Sequence, residues 1–227
     1  MMNLTYYGQS CFAVETAGKR LLFDPFITPN PLASHVKLSD IEADYILISH
    51  GHFDHIADCV ELVRQTGATV IGAFETVNWL NGQGVEKYHP MNTGGKWTFD
   101  FGTVKCTNAI HSSAHPDGSY AANPMGFIVS GEKSFYYSGD TALTMDMQLV
   151  PRWAPNLAFA VLPIGDNFTM GYEDAIMAAE MIRCKTIVGV HYDTFGFIKI
   201  DHEKVKQAFA NAGLDLRLPA IGETINL

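Results

Sequence analysis

The chain has 227 residues, of which 47% are apolar and 17% are charged, and its formal net charge is −9. This composition indicates a globular protein rather than a disordered one. The acidic balance, without any Lys/Arg-rich run, argues against a surface that binds nucleic acid or an anionic membrane.

Short apolar strands alternate with amphipathic helices along the chain. The first half predicts strands at 3–7, 11–16 and 20–23, a loop at 24–43, a strand at 45–49, a helix at 56–66, a strand at 69–72 and a helix at 75–80. The second half predicts strands at 97–101, 104–110, 126–130, 134–137, 157–163 and 186–190, helices at 143–153, 172–182 and 202–212, and two short closing strands. Two β-rich halves that each carry helices predict two packed sheets with helices outside, which we expect to form one domain over residues 1–227.

The cysteines and the amino-terminal stretch bear on where the protein resides. No Lys or Arg precedes Lys19 and no apolar run opens the chain, so we expect no signal peptide. The longest apolar stretches, such as 157–163, are too short to span a membrane. The four cysteines are widely spaced in apolar settings, which predicts reduced, buried thiols in a cytoplasmic protein. An extracellular chain with two disulfides is the alternative.

The strongest chemical signal is the segment His50-Gly51-His52-Phe53-Asp54-His55. Three His and one Asp at these places arise by chance in roughly one chain in a thousand, so a polar loop with accidental histidines is the weaker interpretation. His50 and His52 point the same way in extended backbone. Asp54 and His55 fall where a helix begins, so the chain turns and this second pair faces a different point. Two adjacent pairs that face different points suit two metal ions close together.

Further His and Asp residues follow predicted buried strands directly. They are Asp24, His50, His111, Asp140, Asp166 and His191. Taken singly, such a residue is more often a cap or a turn residue, so the inference depends on the whole set. Strand ends along one sheet edge form a rim where functional loops gather, and we expect these six side chains there.

Residues 50–55 match the HxHxDH signature of the metallo-β-lactamase superfamily. His111, Ser138-Gly139-Asp140-Thr141 and His191 resemble its remaining metal motifs, in the same order. The segment 162–171 and His191-Tyr192-Asp193-Thr194-Phe195 resemble the small metal-dependent hydrolases near ascorbate-6-phosphate lactonases and N-acylphosphatidylethanolamine phosphodiesterases. The resemblance covers essentially the whole chain. It departs at Gly189-Val190, where the pattern has Pro-Met, and at Gly196, where it has Pro.

The resemblance implies an α/β fold, the αββα four-layer sandwich, and two divalent metal ions. It assigns His50, His52 and His111 to the first metal, and Asp54, His55 and His191 to the second, with Asp140 as the bridge. Nitrogen and carboxylate ligands without thiolate fit Zn, Mn, Fe or Ni. Two such ions share a water whose pKa they lower to near 7, and the resulting hydroxide is the implied nucleophile. Asp54 is the implied catalytic residue, which orients this hydroxide and later accepts its proton.

Four residues are weaker candidates for contacts to substrate or to metal ligands. Asp24 either orients a ligand imidazole or forms a turn. Asp166 is assigned to the rim by the resemblance. His115 is a substrate contact or, slightly favoured, a solvated loop histidine, and Tyr192 polarises a substrate oxygen or, favoured, packs at the core edge. The loop 112–124 follows His111, and we expect it to face the substrate.

The leading functional hypothesis is hydrolysis of an ester-like bond, in a lactone or a phosphodiester, of a small-molecule substrate. An iron-dependent oxidoreductase on the same fold is the alternative, and a non-catalytic metal-binding protein is disfavoured by the full seven-ligand set. Neither nucleic acid nor a membrane is expected as a partner. The resemblance suggests homo-oligomers, although nothing in the sequence identifies a subunit interface.

Overall fold

The computed structural model describes residues 2–227 as two seven-stranded mixed sheets with helices on their outer faces. The first sheet has the order β14-β1-β2-β3-β4-β5-β6, where the strands are β1 (Asn3–Gly8), β2 (Cys11–Thr16), β3 (Lys19–Phe23), β4 (Tyr45–Leu47), β5 (Thr69–Ala73), β6 (Tyr88–Met91) and β14 (Thr224–Asn226). The second has the order β13-β12-β11-β10-β9-β8-β7, where the strands are β7 (Lys96–Phe99), β8 (Gly102–Asn108), β9 (Met125–Ser130), β10 (Ser134–Tyr137), β11 (Leu157–Pro163), β12 (Thr186–Val190) and β13 (Asp215–Arg217).

Six α-helices lie within the described residues 2–227. They are α1 (Phe53–Ile56), α2 (Cys59–Thr66), α3 (Phe74–Gly82), α4 (Val150–Trp153), α5 (Tyr172–Ile182) and α6 (His202–Asn211). Short 3-10 turns cover Pro31–Ala33, Leu38–Asp40, Met145–Leu149 and Gly196–Ile198. Within this part of the chain, no helix combines the length and the apolar character that crossing a bilayer requires.

The alternation of side chains along each strand produces four layers. In β3, Leu21 and Phe23 enter the apolar core between the two sheets, whereas Leu22 packs under the helices of the first sheet. In β10, Phe135 enters the core between the sheets and Tyr136 packs with α5 and α6. Because successive strand residues face opposite sides, each sheet is buried on both faces, which confirms the predicted αββα sandwich.

The edge that carries the predicted site is set by strand direction. β3, β4, β5 and β6 run parallel in the first sheet, and β10, β11, β12 and β13 run parallel in the second. Backbone hydrogen bonds join the two sheets beside this edge, from Met125 N to Ser49 O (3.0 Å) and from His191 N to Gln9 O (2.9 Å). Loops that follow these strands therefore meet at one end of the sandwich.

Most predicted elements are present, with shifted boundaries. The strand predicted at 45–49 ends at Leu47; Ile48 N still donates to Ile71 O, but the backbone N–H of Ser49 donates to the Asp24 carboxylate instead of to a strand. The helix predicted at 56–66 is divided, because Asp58 N donates to Pro25 O and the Asp58 carboxylate accepts from the backbone of residues 27 and 28.

Two further differences involve proline. The helix predicted at 143–153 is a 3-10 turn followed by a single turn of α-helix that contains Pro151, a residue tolerated only at the start of a helix. The edge strand β6 was not predicted and contains Pro90, which lacks an N–H and is tolerated at a sheet edge. All four cysteines are buried and unpaired, as predicted.

Candidate metal centre

The seven predicted ligands converge at the end of the sandwich. They come from residues 50–55 after β4, from His111 after β8, from Asp140 after β10 and from His191 after β12. One set of ligand atoms within 4.8 Å of one another comes from His50, His52 and His111, and another comes from Asp54, His55 and His191. These are the two sets that the resemblance assigned to separate metals.

Asp140 lies between the two sets. Its Oδ2 is 3.1 Å from His55 Nε2, 3.0 Å from His191 Nε2 and 3.9 Å from His111 Nε2. The carboxylate is almost fully buried, at 2% exposure, so it faces this cluster of imidazoles and little else. A carboxylate in this position can contact a cation on either side of it.

Asp24 accepts four hydrogen bonds at this site. Its Oδ1 accepts from the backbone N–H of Ser49 (2.7 Å), and its Oδ2 accepts from Ser49 Oγ (2.6 Å), His55 Nδ1 (2.8 Å) and Tyr137 OH (2.6 Å). Asp24 also forms a set within 4.8 Å with His50 and His55, which would make it a third candidate ligand position. Since Oδ2 already accepts three hydrogen bonds, this carboxylate is better suited to orienting imidazoles than to binding a cation.

This network defines which nitrogens carry protons. His55 Nδ1 donates to Asp24, which leaves His55 Nε2 to face the site. Ser49 has one hydroxyl proton, which it donates to Asp24, so it must accept from His50 Nδ1 at 3.0 Å. His50 Nε2 is then unprotonated and lies 2.9 Å from His52 Nδ1. The rings of His50 and His55 thus each present an Nε2 lone pair to the same region.

Buried lone pairs in this region lack hydrogen-bond partners. His55 Nε2 and Asp140 Oδ1 are both buried without a hydrogen bond, although a buried polar atom is normally paired. While His55 is neutral, its Nε2 lone pair and the carboxylate oxygen of Asp140 are both acceptors and cannot satisfy each other. A cation between them satisfies both, so the residues present fit a divalent metal.

The first set of histidines is kept neutral. Burial, together with the positive charge of neighbouring imidazoles, lowers the pKa of His50 well below its ordinary value. Burial also lowers the pKa of His52 and of His111. Neutral imidazoles are the form that binds metals, so this set is prepared for a cation at neutral pH.

In the second set, the pKa shifts favour the charged forms of the side chains. Burial lowers the pKa of His55 and of His191, but nearby carboxylates, Asp140 foremost, raise the pKa of both above the ordinary value. The pKa of Asp54 is lowered: burial raises it, and the adjacent imidazoles, His55 foremost, more than compensate. Protons therefore occupy this set when no metal does, and a metal must displace them.

Gln9, in the turn between β1 and β2, is a functional candidate that the sequence analysis missed. Its Nε2 donates to Asp54 Oδ2 at 2.9 Å, and its backbone carbonyl accepts from His191 N. The side chain is fully buried. It therefore holds two members of the second set at once, and its only signal in the sequence is an amide between two apolar strands.

Backbone strain is concentrated at this edge. Gln9, Asp24 and His191 have φ values of 51°, 43° and 56°, in the left-handed region that residues other than glycine seldom adopt. Asp166 and Asp193 share this conformation at the same end of the second sheet. Such strain persists only where the surroundings impose it, and it is concentrated at functional sites.

The loop 112–124 packs against the segment that carries the first candidate ligands, which the sequence did not indicate. Gly51, between two ligands, donates its N–H to Ser113 Oγ at 3.1 Å and packs against His115 and Ala121. His115 is buried and stacks on Trp79 with ring centroids 4.7 Å apart, so the favoured interpretation as a solvated loop histidine is wrong. Ser112 does line the cavity described below, so the loop faces the cavity through this residue.

The remaining weak candidates lie away from the ligands. Asp166 is exposed, and its carboxylate accepts from the backbone N–H of Asn167. Tyr192 is buried at the core edge and stacks on Tyr6 with ring centroids 6.3 Å apart. Neither is among the residues that line the cavity beside the ligands.

A cavity of about 610 Å³ opens onto the site. Five candidate ligands form its floor, and the other lining residues are Ser112, Phe168, Phe195, Gly196 and Phe197. This volume falls within the usual range of small-molecule sites. A ligand in the cavity would contact the candidate metal ligands on one side and phenylalanine rings on the other.

Comparison with known proteins agrees with this geometry. Residues 19–192 match the model of the β-lactamase superfamily domain. A UPF0173 metal-dependent hydrolase of Christiangramia forsetii is 52% identical over the full length of both chains. Igni18, a metallo hydrolase of Ignicoccus hospitalis, is 35% identical with a TM-score of 0.88, over 99% of this chain and 97% of that one.

The fold also occurs outside hydrolases. CmlA, a diiron β-hydroxylase of Streptomyces venezuelae, is 13% identical with a TM-score of 0.74 and matches all of this chain over 54% of its own length. At this identity the likeness concerns the fold alone. The chemistry has to be decided by the site and by the more similar relatives.

Proposed function

This chain belongs to the β-lactamase superfamily and, within it, to the UPF0173 metal-dependent hydrolases, and we propose that it hydrolyses an ester-like bond, in a lactone or a phosphodiester, at a centre of two divalent metal ions. The observation that carries the proposal is the pair of unpartnered buried acceptors, His55 Nε2 and Asp140 Oδ1, between two sets of ligand atoms. No proton arrangement that keeps His55 neutral satisfies both acceptors, whereas cations do.

His50, His52 and His111 would hold one ion, Asp54, His55 and His191 would hold the other, and Asp140 would contact both. Zn, Mn, Fe and Ni all suit such a set of nitrogen and carboxylate donors. When bound, two such ions would supply a water of lowered pKa and would polarise the bond under attack. Proton transfer would then depend on the side chains around these ions.

Asp54 is the side chain best placed to handle a proton. It lines the cavity, its side chain is 20% exposed, and Gln9 Nε2 holds one of its oxygens. The lowered pKa keeps Asp54 ionised, and only the ionised carboxylate can take up a proton from an attacking water. The plain alternative, a helix cap, finds no support, because the residue before α1 is His52 and no side chain caps this helix.

The test is Asp54→Asn, which keeps the shape and removes the negative charge. We expect kcat on activated phosphodiesters or lactones to fall about 10²–10⁴-fold, the usual contribution of a general base. Occupancy of the metal held by His50, His52 and His111 should stay unchanged in elemental analysis. Asp166→Asn serves as the matched control, because this exposed carboxylate lies outside the cavity. Near-parental turnover by Asp54→Asn would contradict the proposed role.

The iron-dependent oxidoreductase makes a different prediction about the metal. Protein purified without added metal should then contain iron alone and lose its activity when Zn, which has no redox chemistry, replaces the iron. A hydrolase should instead retain turnover when Zn or Mn replaces the native ions, because water activation needs charge rather than a redox change.

A further inference from the structure

The wall of the cavity opposite the ligands is aromatic and exposed. Phe168, Phe195 and Phe197 line it and keep 49%, 38% and 78% of their surface accessible. Phe53, also exposed, packs edge-to-face on Phe26, and the Phe26 ring reaches Phe195 at 6.3 Å between centroids. Exposed apolar surface of this kind marks an interface or a ligand-binding groove, and its position on the wall of the cavity beside the candidate ligands favours a ligand.

The segment that carries two of these rings is anchored. Asp193 N donates to Ile198 O at 2.8 Å, and the Asp193 carboxylate accepts from Ile200 N at 3.1 Å and pairs with His202 Nε2 at 2.6 Å. Ile198, directly after Phe197, is fully buried. Phe195 and Phe197 are therefore held at the cavity by the local structure, and their exposure does not result from a loose loop.

Apart from the proposed metal ions, the cavity offers no positive charge to an anionic substrate body. The residues described as lining it include no Lys or Arg, and the only ionised groups among them are candidate metal ligands. Lys199 is exposed two residues after Phe197 and is not part of the lining. Sites that recognise phosphate groups commonly supply Arg, Lys or helix N-termini for the oxygens.

We propose that the substrate is a neutral carboxylic ester, lactone or thioester whose acyl chain or aromatic group binds against Phe168, Phe195 and Phe197. This inference rests on the proposed function, and it narrows the ester-like bond to one at a neutral carbonyl. In hydrolysis of such a substrate, the oxygen of water bonds to the carbonyl carbon, and the bond from this carbon to the leaving oxygen, or to the leaving sulfur of a thioester, breaks. A proton of the water passes to the leaving atom, which gives a carboxylic acid and an alcohol or, from a thioester, a thiol.

The first experiment varies acyl length at a constant reacting group. The metal-loaded protein is assayed with p-nitrophenyl acetate, butanoate, hexanoate and octanoate, and with bis-p-nitrophenyl phosphate. We expect kcat/KM to rise about fourfold per added methylene until the cavity is full, because apolar burial stabilises bound states uniformly. The phosphodiester should be the poorest substrate. A flat series, or a preference for the phosphodiester, would overturn the inference while leaving metal-dependent hydrolysis intact.

A second measurement does not depend on turnover. Dissociation constants of butanoate, hexanoate and octanoate are measured by calorimetry on the metal-loaded protein, and they should fall with length in the same proportion. If no ester or phosphodiester is hydrolysed but this trend persists, the proposed function fails and the apolar site stands. If neither series depends on length, the apolar site fails.

Phe197→Ala tests the aromatic wall itself. Because the side chain of Phe197 is highly exposed, its removal should leave the fold intact. We expect it to reduce the dependence on chain length in both series at unchanged metal content. Phe74→Ala is the matched control, because Phe74 is 55% exposed and lies outside the cavity lining. A Phe197→Ala variant that changes the oligomeric state but keeps the parental length dependence would show that these rings form an interface, which contradicts the inference.

Discussion

Asp24 offers the sharpest test of how the site is positioned, through the substitution Asp24→Asn. The amide can keep the hydrogen bond from Ser49 N on one atom, but its NH₂ group would face three donors on the other. The Ser49 hydroxyl can then rotate and donate to His50 Nδ1, which moves the proton of His50 to Nε2. His55, without its acceptor, is free to do the same. Both rings would then present a proton where a lone pair is needed.

The magnitude follows from the bonds that are lost. Hydrogen bonds to a charged group contribute about 1.5–3 kcal/mol each, and those from His55 and Tyr137 have no acceptor in the variant. We therefore expect the free energy of unfolding of the metal-free protein to fall by about 3 kcal/mol, using the lower value for both bonds. Metal affinity should fall about 10–100-fold, as is usual when a residue that orients a ligand imidazole is replaced.

The assay combines urea denaturation of the metal-free protein with metal competition against a chelator, at a temperature where the variant is folded. Asp58→Asn is the matched control, because Asp58 is a buried carboxylate whose two hydrogen bonds go to backbone N–H groups and reach no candidate ligand. It should lose stability and keep metal affinity. If Asp24→Asn behaves in the same way, Asp24 is structural and the assigned tautomers are wrong.

The remaining predictions concern packing, bridging and pH. Gly51→Ala should lower metal affinity and destabilise the fold by about 1–3 kcal/mol. The new Cβ would overlap Ala121 and lie 2.9 Å from the ring of His115. Ala121→Gly should partly restore both the metal affinity and the stability. Asp140→Ala should reduce occupancy of both metals, whereas His111→Ala should chiefly empty the first, as elemental analysis can show. Neighbouring carboxylates raise the pKa of His55 despite its burial, so its stabilising charge is fully present below the unfolded pKa of about 6.5 and is lost as the pH rises through the folded value. His50, His52 and His111, whose pKa is lowered, have the opposite effect, but only up to the unfolded value. The free energy of unfolding of the metal-free protein should therefore fall from about pH 7 towards alkaline pH in urea titrations.

Each of these predictions has a contrary outcome. A Gly51→Ala variant with parental metal affinity would show that the loop 112–124 yields without moving the ligands. Full occupancy of both sites in Asp140→Ala would remove that carboxylate from the bridging position. A metal-free protein whose stability rises between about pH 7 and 8 would contradict the protonated second set.

The candidate metal-binding cluster could largely be predicted from sequence, because its members are contiguous or follow strands. Residues 50–55 are contiguous, and His111, Asp140 and His191 each come soon after a recognisable apolar run. Parallel strands end at the same edge, so their proximity could be predicted without knowing the register of any pair.

The groups that orient the cluster could not be found in this way. Gln9 bonds a side chain 45 positions away and Tyr137 one 113 positions away, and no local pattern marks either. Ser49 ends an apolar strand and looks like an ordinary strand residue until the Asp24 carboxylate is placed beside it. The phenylalanines of the cavity wall are equally hidden, because composition does not distinguish an exposed ring from a core ring.

The central claim is most directly tested by anomalous scattering from crystals of the protein prepared without added metal, measured on both sides of the absorption edge of each metal that elemental analysis detects. We predict two peaks, one among His50, His52 and His111 and one among Asp54, His55 and His191, with the Asp140 carboxylate between them. A single peak elsewhere in the molecule, or a metal bound by Asp24 in place of Asp140, would contradict it.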